Sequence, residues 1–201
     1  MIIIELYDSI INQQSQRKCR TEDVMKKQPE VTEQTRKNII AAFCRLYAQR
    51  PIEQIYVKDV ISEAGYNRST FYEYFQDIYA LLNCLEDDVI DYIKGKLDKK
   101  TRTQADLLQL LSEKEKYLKA LMGPFGCVHF QDRLKAELTA ESEVVISDER
   151  FEPYFAEFHI EASLSLYRLW LNRGKDISLN ELTTLIHTLY THGASGIIGA
   201  I

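Results

Sequence analysis

The chain has 201 residues, 45% hydrophobic and 27% charged, with eight Gly and four Pro. That length and apolar content suffice for a buried core without disulfides or metals, and they exclude a collagen-like, low-complexity or wholly disordered chain. The net charge of −5 argues against a broadly basic nucleic-acid binder, but residues 1–77 carry eleven Lys and Arg against eleven Asp and Glu, and residues 78–201 carry fourteen against nineteen, so the net acidity belongs to the second part.

Residues 1–31 contain a polar, locally basic tract with Arg17, Lys18, Arg20, Lys26 and Lys27, ending near Pro29. They read as a mobile N-terminal arm, with a short helix over Ile3–Ile11. From Thr32 onward the apolar spacing is helical, strict alternation is rare, and no Asn-Gly or Asp-Gly hairpin signal occurs, so the fold class is all-α. Thr32 is placed to cap a first helix whose Ile39, Ile40, Phe43, Leu46 and Tyr47 share a face, and Pro51 stops it. A short helix follows over Val57–Ala64, then Gly65 at a left-handed turn position. Asn67 caps a third helix over Arg68–Phe75, and a fourth runs from about Asp77 to Leu97.

Beyond Asp98 the spacing predicts a helix over Leu107–Leu121, broken near Ser112, and another around Gln131–Val145. A long helix is expected over Glu152–Asn172. Ser178 caps a last helix, with Glu181 three residues on completing a capping box.

Cys19, Cys44, Cys84 and Cys127 show no metal or redox spacing and read as reduced thiols in a cytoplasmic protein. Met1–Ile4 lacks the flanks of a signal peptide, and no run reaches the ~18–20 apolar residues of a membrane span, so no membrane partner is expected. His129 and His159 lie thirty residues apart and His187 and His192 five apart, without the helical pairing a metal site favours; no metal or cofactor is expected. No G-x-S-x-G, P-loop, dinucleotide fingerprint or H-E-x-x-H occurs, so no catalytic residue is assigned and the chain is not expected to be an enzyme.

Two short helices joined by a turn containing Gly are what a helix-turn-helix reader of DNA needs, because the helices must cross steeply. The second must bury one face and offer the other to the major groove. Here Phe71, Tyr74 and Phe75 fall on the inward face, and Arg68, Ser69, Thr70 and Glu73 project from the other. Thr35-Arg36 through Phe43, Tyr56-Val57-Lys58-Asp59-Val60, and Ala64-Gly65-Tyr66-Asn67-Arg68-Ser69-Thr70-Phe71-Tyr72-Glu73-Tyr74-Phe75 resemble the DNA-binding domain of TetR/AcrR-type transcriptional regulators. The resemblance covers roughly residues 32–92.

It implies an N-terminal three-helix helix-turn-helix DNA-binding domain over residues 32–92, followed by a helical-bundle ligand-binding and dimerisation domain over residues 93–201. Arg68, Ser69 and Thr70 then occupy base- or phosphate-contacting positions. Tyr72 and Tyr74 fall at positions near backbone phosphate, with core packing as the other reading of both. Tyr56 replaces a common phosphate-contacting Thr, and Lys58 stands beside it. Three departures are visible: Ile78 replaces a common Lys, Ile61 a small residue, and Glu73 repels phosphate unless it reads a cytosine amino group.

In the remainder, Tyr92, Phe125, His129, Phe130, Tyr154, Phe158 and His159 line either a ligand pocket or ordinary core. Tyr167, Leu171, Leu182, Leu185, Leu189, Gly193 and Gly196 form either a homodimer interface or intramolecular core. The expected partners are a palindromic double-stranded DNA operator, an unknown small-molecule effector and a second copy of the chain. The expected role is a ligand-responsive regulator, by family habit a repressor. The alternative is a coactivator of the same fold that binds protein and does not read DNA through its recognition helix.

Overall fold

The computed structural model describes residues 29–96, 104–140 and 149–193, all of them helix, turn or irregular segment without a strand. The expected Ile3–Ile11 helix and basic tract lie outside the described residues. The ordered helices fall into two compact units, one built from residues up to Leu46 together with Ile52–Cys84, the other from Tyr47–Pro51 together with residues from Leu85 onward. The division lies at Cys84–Leu85, inside a helix.

The first unit begins with α1, Pro29–Tyr47. This helix starts three residues earlier than its expected Thr32 cap, because Pro29 suits a first helical position and Thr32 continues the turn. Helices α2 (Val57–Ala64) and α3 (Arg68–Tyr74) pack on each other, and α4 (Ile78–Lys96) leaves this unit at its second turn. Ile39, Ile40 and Phe43 of α1, Val60 of α2, Phe71 and Phe75 around α3, and Ile78 and Leu81 of α4 are buried. Burial contributes roughly 1.5–3 kcal/mol for each such side chain. The Arg45–Glu63 ion pair (2.6 Å) and the bond from Asn38 Nδ2 to the Tyr66 hydroxyl (2.9 Å) tie α1 to α2 and to the turn after it.

The second unit takes the rest of α4, then α5 (Gln104–Glu113), α6 (Glu115–Leu121), α7 (Val128–Ala140), α8 (Glu152–Asn172) and α9 (Leu179–His192). Helix α8 is its centre and packs on α6, α7 and α9, while α9 also packs on α5. The break between α5 and α6 falls at Lys114 rather than Ser112, whose hydroxyl instead bonds back to the Gln109 carbonyl (2.7 Å) within the helix. Helix α7 starts three residues before the expected Gln131. The α8–α9 turn uses Gly174 (φ 73°) and Lys175 (φ 63°), and the Trp170 indole N–H closes it by donating to the Ile177 carbonyl (2.6 Å). The Ser178–Glu181 capping box forms as read. The last helix stops at His192, and Gly193 follows it with φ 62°.

Cys44 is buried and Cys127 half-buried, both as free thiols, and burial pushes the Cys44 thiol up to about 12. Cys84 is not among these free thiols. No described helix is long and apolar enough to cross a membrane.

Candidate nucleic-acid interface

The turn between α2 and α3 is set by Gly65 at φ 75°, a conformation that side chains with a Cβ rarely adopt. The Gly65 and Tyr66 N–H groups both reach the Ile61 carbonyl, closing α2 in a tight stop. Two residues later Asn67 opens α3. Its Oδ1 accepts from the Thr70 backbone N–H (2.8 Å), the Ser69 hydroxyl (2.6 Å) and the Thr70 hydroxyl (2.9 Å). The Asp59 carboxylate likewise accepts the Tyr56 backbone N–H (3.2 Å) at the start of α2.

Helix α3 is thereby fixed with one face in and one face out. Phe71 is fully buried, edge-on to Tyr72 and tilted against Phe75 at a ring distance of 5.6 Å from each. Arg68, Ser69, Tyr72 and Glu73 are exposed, and Thr70 and Tyr74 are half-buried. Tyr74 leans on Phe75 (6.3 Å). Its ring is thus partly spent on packing.

Two exposed tyrosines carry a cation beside the ring. Arg68 stands 5.5 Å from the Tyr72 ring and donates from Nη2 to its hydroxyl (3.0 Å), while Lys58 stands 5.5 Å from the Tyr56 ring. Pairs of this kind at exposed sites are worth ~0.5–1 kcal/mol, enough to orient a long side chain without binding it away from a ligand. Tyr56, Lys58, Arg68, Ser69 and Tyr72 are all solvent-accessible, as a contact surface requires.

Ile78 has the opposite fate. It is 7% exposed and belongs to the core of this unit, so the position where the family often has Lys is spent on apolar packing. Asp77 caps α4 in front of it, its carboxylate accepting from the Ala80 N–H (2.7 Å). Exposed Tyr79 stands next to them, a residue the sequence reading passed over.

The residues read as a ligand pocket do not converge. Phe130 is core, Tyr92 hydrogen-bonds Glu113, and Phe125, His129, Tyr154 and Phe158 are exposed. His129 instead stands 3.8 Å from the buried carboxylate of Glu86, which Arg133 also holds (3.1 Å) while reaching Asp87 (2.6 Å). Burial pushes the Glu86 carboxyl above the ordinary range, against the pull of Arg133 and His129. This cluster around one buried acid was missed. Its signal was an acid inside the apolar stripe Leu82, Leu85, Val89, Ile90 and Ile93 of α4. The Tyr167 hydroxyl is buried without a hydrogen-bond partner among the described residues, and burial and the Glu115 charge push it up.

Of the residues read as a dimer interface, Tyr167, Leu171 and Leu182 are buried within one chain. Leu185 and Leu189 are half-buried, Gly193 is exposed, and Gly196 lies outside the described residues. A different set faces solvent on α8 and just before it: Phe151, Tyr154, Phe155 and Phe158 at i, i+3, i+4 and i+7, with Leu169 further along. His159 stacks between Phe155 (5.7 Å) and Tyr190 of α9 (4.4 Å), and burial lowers its pKa. Among the described residues no three His, Cys, Asp or Glu side chains are grouped to hold a metal ion.

Residues 39–85 match the family described as bacterial regulatory proteins, tetR family. No curated protein matches the sequence. The fold is similar to that of a solved protein titled dihydroxyacetone kinase operon activator DhaS, at 24% identity and a TM-score of 0.55, over 77% of this chain and 93% of that one. It is similar also to a TetR transcriptional regulator from Streptococcus agalactiae 2603V (20% identity, TM-score 0.56, 80% of this chain and 95% of that one). A transcriptional regulator from Aquifex aeolicus VF5 aligns at 16% identity and a TM-score of 0.51, over 76% and 95% of the two chains. Residues 39–85 are therefore similar to the DNA-binding part of the tetR family of bacterial regulatory proteins, and the all-helical fold of the chain is similar to that of solved TetR-type transcriptional regulators.

Proposed function

We propose that the chain is a cytoplasmic regulator of transcription that reads a palindromic DNA operator through α3 as a homodimer. The observation that carries the reading is the two-faced α3. Phe71 anchors it from inside while Arg68, Ser69 and Tyr72 stand in solvent on the other side, behind a glycine turn at φ 75°. Tyr56, Lys58 and Tyr72 serve phosphate, Arg68, Ser69 and Thr70 serve bases or phosphate, and Tyr74 contributes from the edge. Half-sites about one helical turn apart, ~34–36 Å, would match a twofold dimer. The exposed aromatic face of α8 and the half-buried Leu185 and Leu189 of α9 supply apolar surface for the second copy.

The body then takes a small-molecule effector that shifts the regulator between two states. The Tyr167 hydroxyl, buried and without a hydrogen-bond partner among the described residues, supports that reading, since such a group costs about 1–3 kcal/mol until something bonds to it. No cofactor and no enzymatic step is part of the proposal. By the habit of the family the role is repression. A second reading is an activator or coactivator, favoured by the similarity to a protein titled an operon activator and by the exposed Glu73 on the reading face.

Binding of the full-length chain to genomic fragments at rising salt tests the proposal. Enrichment of a small set of fragments, with affinity falling as salt rises, is expected. Binding to none, together with retention of a partner protein, selects the coactivator that does not read DNA.

A further inference from the structure

The exposed face of α3 carries two side-chain pairs, each four residues apart and so adjacent on the helix surface: Arg68 with Tyr72, and Ser69 with Glu73. Their hydrogen-bonding polarities differ, and the geometry fixes them. Asn67 Oδ1 receives the Thr70 backbone N–H at 2.8 Å, so the atom facing that N–H is the carbonyl oxygen, not the amide nitrogen. An oxygen acceptor at 2.6 Å from Ser69 Oγ leaves only one assignment: the serine proton points at Asn67. The Thr70 proton is held on the same oxygen at 2.9 Å. Ser69 therefore offers lone pairs outward and no donor. Glu73, its neighbour on the same face, is an acceptor whenever it is ionised.

The other pair is the reverse. Arg68 carries donors only, and its Nη2 donates to the Tyr72 hydroxyl at 3.0 Å, so the phenol accepts there and keeps its own proton to give. Phosphate oxygens, guanine O6 and N7 and thymine O4 all need donors, which Arg68 and Tyr72 supply. In the major groove only cytosine N4 and adenine N6 supply donors.

We infer that Ser69 and Glu73 act together as an acceptor pair that selects a base bearing an exocyclic amino group, cytosine or adenine, beside the donor pair Arg68 and Tyr72. This deepens the DNA-reading proposal and rests on it. It gives Glu73 a use on a surface that otherwise meets phosphate. It also assigns Ser69 to base selection rather than to phosphate, because a phosphate contact would require it to withdraw its proton from the Asn67 cap.

The test is selection from a randomised duplex pool by the full-length chain. Binding is then measured to the enriched duplex and to a version in which the selected cytosine or adenine is replaced by 2-pyrimidinone or purine, which lack the amino group. Enrichment of cytosine or adenine at one position of each half-site is expected. Deleting the amino group should weaken the wild type by about 10-fold or more. Glu73→Ala should lose most of the preference for the amino-bearing duplex, and Ser69→Ala should lose about 3- to 10-fold on the amino-bearing duplex alone. Glu73→Ala that tightens on every duplex alike overturns the inference, because it marks Glu73 as a charge repelled by phosphate. Amino-group deletion that weakens wild type and Glu73→Ala equally also overturns it. Enrichment of no sequence by the wild type overturns the DNA-reading proposal itself, and this inference with it.

Discussion

The two units expose their aromatic residues in different ways. In the first, the exposed rings are tyrosines, and Tyr56 and Tyr72 stand beside Lys58 and Arg68. In the second, Phe151, Tyr154, Phe155 and Phe158 share one stripe on and just before α8, and three of the four have no polar tip. A tyrosine hydroxyl beside a cation suits a wet, charged partner, whereas a phenylalanine stripe is stabilised only by another apolar surface. The same fold thus divides its exposed rings, tyrosines beside cations on the first unit and a mostly phenylalanine stripe on the second.

The largest effect should come from removing what holds the reader's inner face. Phe71→Ala empties a fully buried site in the first unit and should cost roughly 3–5 kcal/mol, read as a lowered denaturant midpoint. A loss below about 1 kcal/mol would mean that α3 is not anchored by this ring. Next, Phe158→Asp places a charge on the apolar stripe. It should raise the dissociation constant of the proposed dimer by roughly 30-fold or more, seen by light scattering across a dilution series, and leave secondary structure intact. An unchanged mass would move the interface elsewhere and break the comparison on the body side.

Much of this division was legible in the sequence. The ranges of α2 and α8 follow from apolar spacing bounded by Gly65 and by Arg173-Gly174, and the capping box at Ser178 formed as expected because both partners are local. What was not legible is tertiary. Tyr167, Leu171 and Leu182 carry the same apolar signal whether they meet their own chain or a second copy, and only the packing of α8 against its neighbours shows that they are core. Ile78 is the converse: its departure from the family pattern was plain, but its place in the core was not. The placement of the residues read as a pocket was not legible for a similar reason. Tyr154 and Phe158 are aromatic residues at helical spacing, and spacing does not say which side of the bundle they face.

Smaller effects sharpen the picture. Glu86 sits buried with its carboxyl raised above the ordinary range, so the folded chain holds that proton more tightly than the unfolded chain does. Stability should then fall as pH rises from the ordinary carboxylate value through the raised one. Glu86→Gln keeps an acceptor for Arg133 and removes the buried charge. Its melting temperature relative to wild type should climb between pH 4 and pH 7, and a flat difference would contradict this reading. Smallest is Ser178→Ala, which removes the α9 cap and should cost about 1 kcal/mol by thermal denaturation. Its Glu181 partner is held below the usual carboxylate range by bonds from the Ser178 N–H and hydroxyl, so the contribution is present at neutral pH and fades as acid protonates Glu181.

If α3 is the reading surface, Arg68 is the side chain whose loss should cost DNA binding most. Full-length wild type and Arg68→Ala are titrated by fluorescence anisotropy onto the duplex enriched by the wild type, at two salt concentrations. The prediction is a loss of roughly 10- to 100-fold for Arg68→Ala, with wild-type affinity falling as salt rises. Equal binding by the two proteins at both salt concentrations would contradict it.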